Sequence, residues 1–139
     1  MLKILLVSHG GFAEGIANAA EIIMGKQEQL SYINAYTSDI TYEEQFDEYM
    51  SSVDLEKDKL IIVADLFGGS VNQKTMKGID MKKVILITGL CLPMLLELLM
   101  LDEASANLDE VRRITEMSKS GLLVVNDLSE ETSGDDFDF

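Results

Sequence analysis

Two runs of consecutive apolar residues, Ile4-Leu5-Leu6-Val7 and Leu60-Ile61-Ile62-Val63-Ala64, set the strongest limit on the fold. Neither alternates polar with apolar, so a strand built from either presents apolar side chains on both faces. Strands of that kind belong in a parallel sheet covered by helices on both sides. The intervening segments agree. From Ala13 to Met24, the residues Ile16, Ala17, Ala20, Ile23 and Met24 recur at helical spacing. Thr41-Tyr42-Glu43-Glu44 has the Thr-x-x-Glu form of a capping box, ahead of Phe46, Tyr49, Met50 and Val53.

Taken in order, strands are expected at Leu2–Val7, Leu30–Tyr36, Leu60–Ala64, Lys83–Thr88 and, short and late, Leu122–Val125. Helices are expected from about Phe12 to Gly25, from Thr41, from a Ser70 cap to Lys77-Gly78, over Leu92–Leu101, and from Ser105 or Asn107 to Ser120-Gly121. Pro93 suits the first turn of the fourth helix. Strands joined by helical crossovers give an α/β sheet with right-handed connections and a helical layer on each face. The pattern leaves the place of the fifth strand open.

A chain of 139 residues with one proline is expected to form one domain. Twenty-five acidic residues against eleven basic ones give a net charge of −14, which argues against nucleic acid and anionic membranes as partners. Part of the excess is local: residues 127–139 carry Asp127, Glu130, Glu131, Asp135, Asp136 and Asp138 without one base, as expected of a disordered acidic tail after a domain at 1–126. Cys91 stands alone, which excludes an internal disulfide and a cysteine metal cluster. The apolar stretch Leu90–Leu101 contains Pro93 and Glu97 and is too short to span a bilayer. No basic leader or cleavage site precedes the first strand. A cytoplasmic protein is the expectation.

Three strand ends carry the residues that can do chemistry. The first apolar run ends on Ser8-His9-Gly10-Gly11-Phe12, which holds the chain's one histidine; the others end on Asp65-Leu66-Phe67-Gly68-Gly69-Ser70 and on Thr88-Gly89-Leu90-Cys91-Leu92-Pro93. In a parallel sheet all three ends lie on one edge, where open α/β sheets bind ligands. Asp65 follows five apolar residues, a costly place for a carboxylate unless it is paired. An imidazole is the natural partner: a carboxylate holding one ring nitrogen leaves the other free to attack. Gly10-Gly11 and Gly68-Gly69, each ahead of a helix, let backbone N–H groups approach an anion, with the Ser70 hydroxyl beside them. No Walker loop or dinucleotide fingerprint occurs. Together these parts read as a histidine that is itself phosphorylated, a reaction that needs positioning and charge stabilisation, with neither metal nor cofactor.

Two other classes stay open on these residues. Ser70, His9 and Asp65 are the residue types of a hydrolase triad, although Phe67-Gly68-Gly69-Ser70-Val71 is not the Gly-x-Ser-x-Gly elbow. A binding module with His9 as an inert contact is the third class. Cys91 as a nucleophile ranks below all of these, because a lone cysteine is by default a small apolar residue.

At the same residues the chain resembles enzyme IIA of the mannose family of the bacterial sugar phosphotransferase system. The likeness runs over about residues 2–126 and rests on Ser8-His9-Gly10, on Val63-Ala64-Asp65-Leu66-Phe67-Gly68-Gly69-Ser70, and on Thr88-Gly89-Leu90-Cys91-Leu92-Pro93-Met94-Leu95-Leu96-Glu97. The resemblance implies that His9 takes phosphate from phosphorylated HPr at its Nε2 nitrogen. It then passes the phosphate to a histidine of the cognate IIB, which serves the IIC/IID permease. It implies that Asp65 orients His9 and Ser70 contacts the phosphoryl group. It also implies an open three-layer sandwich of four parallel strands, with a final antiparallel strand, Leu122–Val125, exchanged within a homodimer. Phe12, Leu66, Phe67 and Leu90 are candidates for the dry centre of a docking surface, with core packing as the alternative for each. Val71 stands where relatives often have proline, and Cys91 where a polar residue occurs. Without a linker or IIB domain after the acidic segment, the chain is expected to be a free-standing IIA. The phosphohistidine subunit that feeds dihydroxyacetone kinase is a second, more distant resemblance.

Overall fold

The computed structural model describes residues 1–128. Strands β1 (Leu2–His9), β2 (Leu30–Ala35), β3 (Lys59–Ala64) and β4 (Val84–Thr88) form one sheet in the order β2-β1-β3-β4. All three ladders are parallel. Helices α1 (Phe12–Met24), α2 (Tyr42–Ser51), α3 (Ser70–Lys77), α4 (Leu92–Leu99) and α5 (Leu108–Lys119) cover it.

The continuous apolar runs are explained by this burial. On β1, Ile4 and Leu6 pack into a core with α1, α4 and α5, while Leu5 and Val7 point the other way into a core with α2 and α3. All four side chains are fully buried, each contributing roughly 1.5–3 kcal/mol of transfer free energy. The helix ends follow their local chemistry. Thr41 accepts the Glu44 N–H at 3.2 Å and Asn107 accepts the Glu110 N–H at 2.9 Å, each satisfying an orphan donor. Pro93 occupies the first turn of α4.

The strand order positions the site. From β1 the chain crosses to β2 on one side, and from β3 it crosses to β4 on the other. The carboxyl ends of β1 and β3 therefore flank a topological switch point, where the diverging connections leave a crevice. His9 is the last residue of β1, and Asp65 follows β3 directly.

Several element boundaries differ from expectation. Tyr36 leaves β2 in the left-handed region, at φ 67°. Val53 lies beyond the end of α2, and α4 stops at Leu99. Ser70, expected as the cap of α3, is its first helical residue; Gly69 is the cap, and the Ser70 hydroxyl is turned to other partners. Leu122–Val125 pairs with no strand among the described residues, and Val125–Asp127 form a 3₁₀ turn. A strand exists only through a partner edge, and this segment finds none among the described residues. The expected acidic tail lies outside the described residues except for its first two positions. An apolar groove of about 370 Å³, lined by Thr88, Cys91, Pro93, Met94 and Leu122 among others, opens beside the end of β4.

Candidate functional site

The turn after β1 is built before the site is. Ser8, fully buried, accepts the Ala13 N–H at 2.7 Å and donates to the Gly10 carbonyl at 3.2 Å, closing the turn into α1. Gly10 adopts φ +59°, and its N–H donates to the Ala35 carbonyl at 2.8 Å. With the turn held from both sides, the His9 side chain is fixed at the edge of the sheet.

Asp65 reaches back across the crevice. Its Oδ2 accepts the His9 backbone N–H at 2.9 Å and lies 2.7 Å from Nδ1 of the imidazole; its Oδ1 accepts the Leu66 N–H at 3.0 Å. Burial pushes the Asp65 carboxyl upward, but the hydrogen bonds from the His9 backbone and ring and from Leu66 outweigh it, so its pKa lies below the ordinary value. An ionised carboxylate only accepts, so Nδ1 carries a proton, and in the neutral imidazole the lone pair is then on Nε2. The Ser70 Oγ stands 3.3 Å from that Nε2. Side-chain exposure is 41% for His9 and 13% for Asp65, so the ring is open to solvent while the carboxylate beside it is shielded.

The two glycine pairs divide their work. Gly68, at φ +78°, makes the turn into α3, and a side chain on Gly69 would sit 3.2 Å from Leu66 and 3.4 Å from Cε1 of His9. Gly69 thus lets the start of α3 come up against the imidazole, bringing the orphan N–H groups of that helix to the site. Around Gly11 there is open space within 4 Å, so its place at the start of α1 rests on no close contact.

Of the four candidate docking residues, Phe12, Leu66 and Phe67 are exposed, Phe67 at 81%. Leu90 is corrected: it is 5% exposed and belongs to the core shared by α1, α4 and α5. Its N–H bonds the Ala64 carbonyl, which draws it in behind the end of β3. Cys91 lines the groove beside β4. Among the described residues no group of three or more His, Cys, Asp and Glu side chains is placed to hold a metal ion, and no helix is long and apolar enough to cross a membrane.

Tyr36 and Lys74 also stand at the site, unforeseen. The Tyr36 ring lies 5.5 Å from the imidazole, its hydroxyl 2.8 Å from Ser70 Oγ, and Lys74 Nζ 3.3 Å from that hydroxyl. An L-residue in the left-handed region costs about 1–2 kcal/mol, and the contacts of the phenol hold it there. The available signal was positional: Tyr36 ends a strand on the same edge as His9, and Lys74 lies one helical turn beyond Ser70.

The model of the family described as PTS system fructose IIA component matches residues 3–116 of the chain. A PTS system mannose-specific EIIAB component of Escherichia coli (strain K12) is 29% identical over 113 residues, covering 79% of this chain and 35% of that protein. The chain thus spans about a third of the length of the curated relatives it matches. Among solved structures, a phosphoenolpyruvate-dependent sugar phosphotransferase system (PTS) permease from Klebsiella pneumoniae superposes with a TM-score of 0.80 at 27% identity, over 91% of this chain and 92% of the other. The PTS IIA protein associated with the fucose utilization operon of Streptococcus pneumoniae gives 0.75 at 25% identity, over 90% and 93%.

Proposed function

The chain belongs to the EIIA-man family of PTS IIA components, and from that premise we propose that His9 is a phosphocarrier which accepts a phosphoryl group from phosphorylated HPr and hands it to a histidine of a IIB component during sugar uptake. The observation that carries this reading is the pairing of Nδ1 with Asp65 at 2.7 Å, which leaves Nε2 as the exposed lone pair. In the transfer, Nε2 attacks phosphorus, the bond from phosphorus to the donor imidazole breaks, and its electron pair returns to the donor ring. His9 then carries Nδ1–H and phosphorylated Nε2, a cation that the Asp65 carboxylate offsets at contact distance. Ser70 and the N–H groups at the start of α3 receive the phosphoryl oxygens. The step needs no metal or cofactor, because both partners of each exchange are imidazoles.

Phe12, Leu66 and Phe67 form the dry centre on which HPr and IIB dock in turn. The acceptor downstream of IIB is the sugar at a IIC/IID permease, and the protein works in the cytoplasm. Leu122 to Val125, four consecutive exposed apolar residues with Leu122 at 93%, support an antiparallel strand exchanged between the subunits of a homodimer. The outer edge of β4, unpaired among the described residues, is where such a strand adds. The Phe67-Gly68-Gly69-Ser70 segment, with Ser70 against Nε2, favours a sugar IIA over a subunit that feeds dihydroxyacetone kinase.

The order Ser70–His9–Asp65 also has the connectivity of a hydrolase triad, with 3.3 and 2.7 Å between members. One experiment separates the two. Incubation with enzyme I, HPr and phosphoenolpyruvate, read by intact mass, is expected to add one acid-labile phosphate that is absent from His9→Ala. No gain in mass, with ester turnover that dies in Ser70→Ala, is the hydrolase outcome.

A further inference from the structure

A line of side chains runs outward from the imidazole, and with that ring neutral the direction of every hydrogen bond in it follows. Asp65 accepts from Nδ1, so in the neutral imidazole, the form that can attack, Nε2 has no proton and the Ser70 hydroxyl donates to it across 3.3 Å. That spends the one hydrogen of Ser70. The 2.8 Å contact between Tyr36 and Ser70 is then a bond in which the phenol donates. The phenol oxygen is left to accept the Lys74 ammonium at 3.3 Å. Lys74 is itself anchored by Glu43 Oε1 at 3.1 Å. The Glu43 carboxylate first, and the phenol second, raise the Lys74 pKa, so the ammonium keeps its charge.

We propose that Tyr36 and Lys74 are positioning residues of the phosphoryl site: together they form a one-way donor chain, Lys74 to Tyr36 to Ser70, that aims the Ser70 hydroxyl at Nε2 and, after transfer, at a phosphoryl oxygen. The inference rests on the phosphocarrier reading and deepens it. The backbone supports it independently. Among the described residues Tyr36 is the one non-glycine with positive φ, and it directly follows Ala35, the residue paired with His9 across the β1–β2 ladder. Had the strand continued straight through Tyr36, the next side chain would have followed the pleat; the left-handed turn sets the phenol beside the imidazole instead. Ser70 and Lys74, four apart on α3, share one helical face, and the phenol bridges them. Lys74 Nζ also lies 5.2 Å from the centre of the ring, which helps keep the two groups together.

The chain acts through its polarity. A hydroxyl that already accepts a hydrogen bond from a donor polarised by a cation is a stronger donor itself. Phosphoryl oxygens carry far more negative charge than a neutral imidazole nitrogen, so the chain strengthens as phosphate arrives. Tyr36→Phe keeps the ring and breaks the link, Lys74→Met keeps the aliphatic stem and removes the charge, and Lys74→Arg restores a charged donor.

The test is the rate of phosphoryl transfer from saturating phosphorylated HPr in Tyr36→Phe, Lys74→Met, the double variant and Lys74→Arg. Each of the first two is expected to slow transfer roughly three- to tenfold, the size of one polarised hydrogen bond, with the apparent KM for HPr unchanged. The double variant should be no slower than the slower single one, since both cut the same chain. Lys74→Arg should recover most of the rate. Two singles at the wild-type rate, or losses that multiply in the double variant, overturn the proposal while His9 still takes phosphate. A wild-type protein that takes no phosphate overturns the phosphocarrier reading, and the donor chain with it.

Discussion

Asp65→Asn is expected to slow phosphoryl acceptance by roughly 10²- to 10⁴-fold, the range in which losing an imidazole's orienting carboxylate falls. The carboxylate accepts three hydrogen bonds at once: Oδ2 takes the His9 N–H and the ring Nδ1–H, and Oδ1 takes the Leu66 N–H. An asparagine keeps one of the two oxygens. If its amide nitrogen faces Leu66, two donors meet there. If it faces His9, it donates to Nδ1 and drives the ring proton to Nε2, where a nucleophile needs a lone pair. In either orientation the negative charge that offsets the phosphorylated ring is gone. Rapid-quench transfer from phosphorylated HPr reads the effect, and a rate within about threefold of the wild type would remove Asp65 from the mechanism.

The same residue links the site to acid stability. The folded-state pKa of Asp65 is depressed, so its contribution is complete above the ordinary carboxylate value of about 4 and is lost as pH falls through the lower folded value. Melts taken downward from about pH 5 should therefore show a shallower loss of stability in Asp65→Asn than in the wild type.

The largest expected effect on folding belongs to Leu95→Ala. Leu95 lies fully buried on α4, in the core that joins β1, β3 and β4 to α1, α4 and α5. Truncation removes its transfer free energy and leaves a cavity under three helices, about 2–5 kcal/mol in all. For a domain of this length that lowers Tm by roughly 10 °C or more. The contrast is Phe67→Ala at the exposed rim, expected to change stability by no more than about 0.5 kcal/mol. Thermal unfolding of both proteins tests this, and equal losses would contradict the assignment of Phe67 to a docking surface.

How much of this was legible beforehand differs from residue to residue. The unbroken apolar runs at Ile4–Val7 and Leu60–Ala64 specify two-sided burial, and two-sided burial specifies parallel strands between helices. From there, residues ending those strands must share an edge, so His9, Asp65 and Ser70 could be brought together without coordinates. Tyr36 could not. Aromatic residues fit a pleated strand, so the pattern extends β2 through it, and the turn it makes is imposed by tertiary contacts with Ser70 and Lys74. Leu90 misled for the opposite reason: its place on the correct edge says nothing of which way its side chain turns. Leu122–Val125 has a strand's composition, but pairing is a property of two segments and cannot be read from one.

The central claim is that Asp65 spends Nδ1 and leaves Nε2 to react. Its most direct measurement is nitrogen and phosphorus NMR of the ¹⁵N-labelled, phosphorylated protein, in which a single histidine leaves no ambiguity of assignment. The phosphorus should couple to Nε2 of His9 while Nδ1 keeps its proton. Phosphate on Nδ1, or on the Ser70 oxygen, would contradict the account.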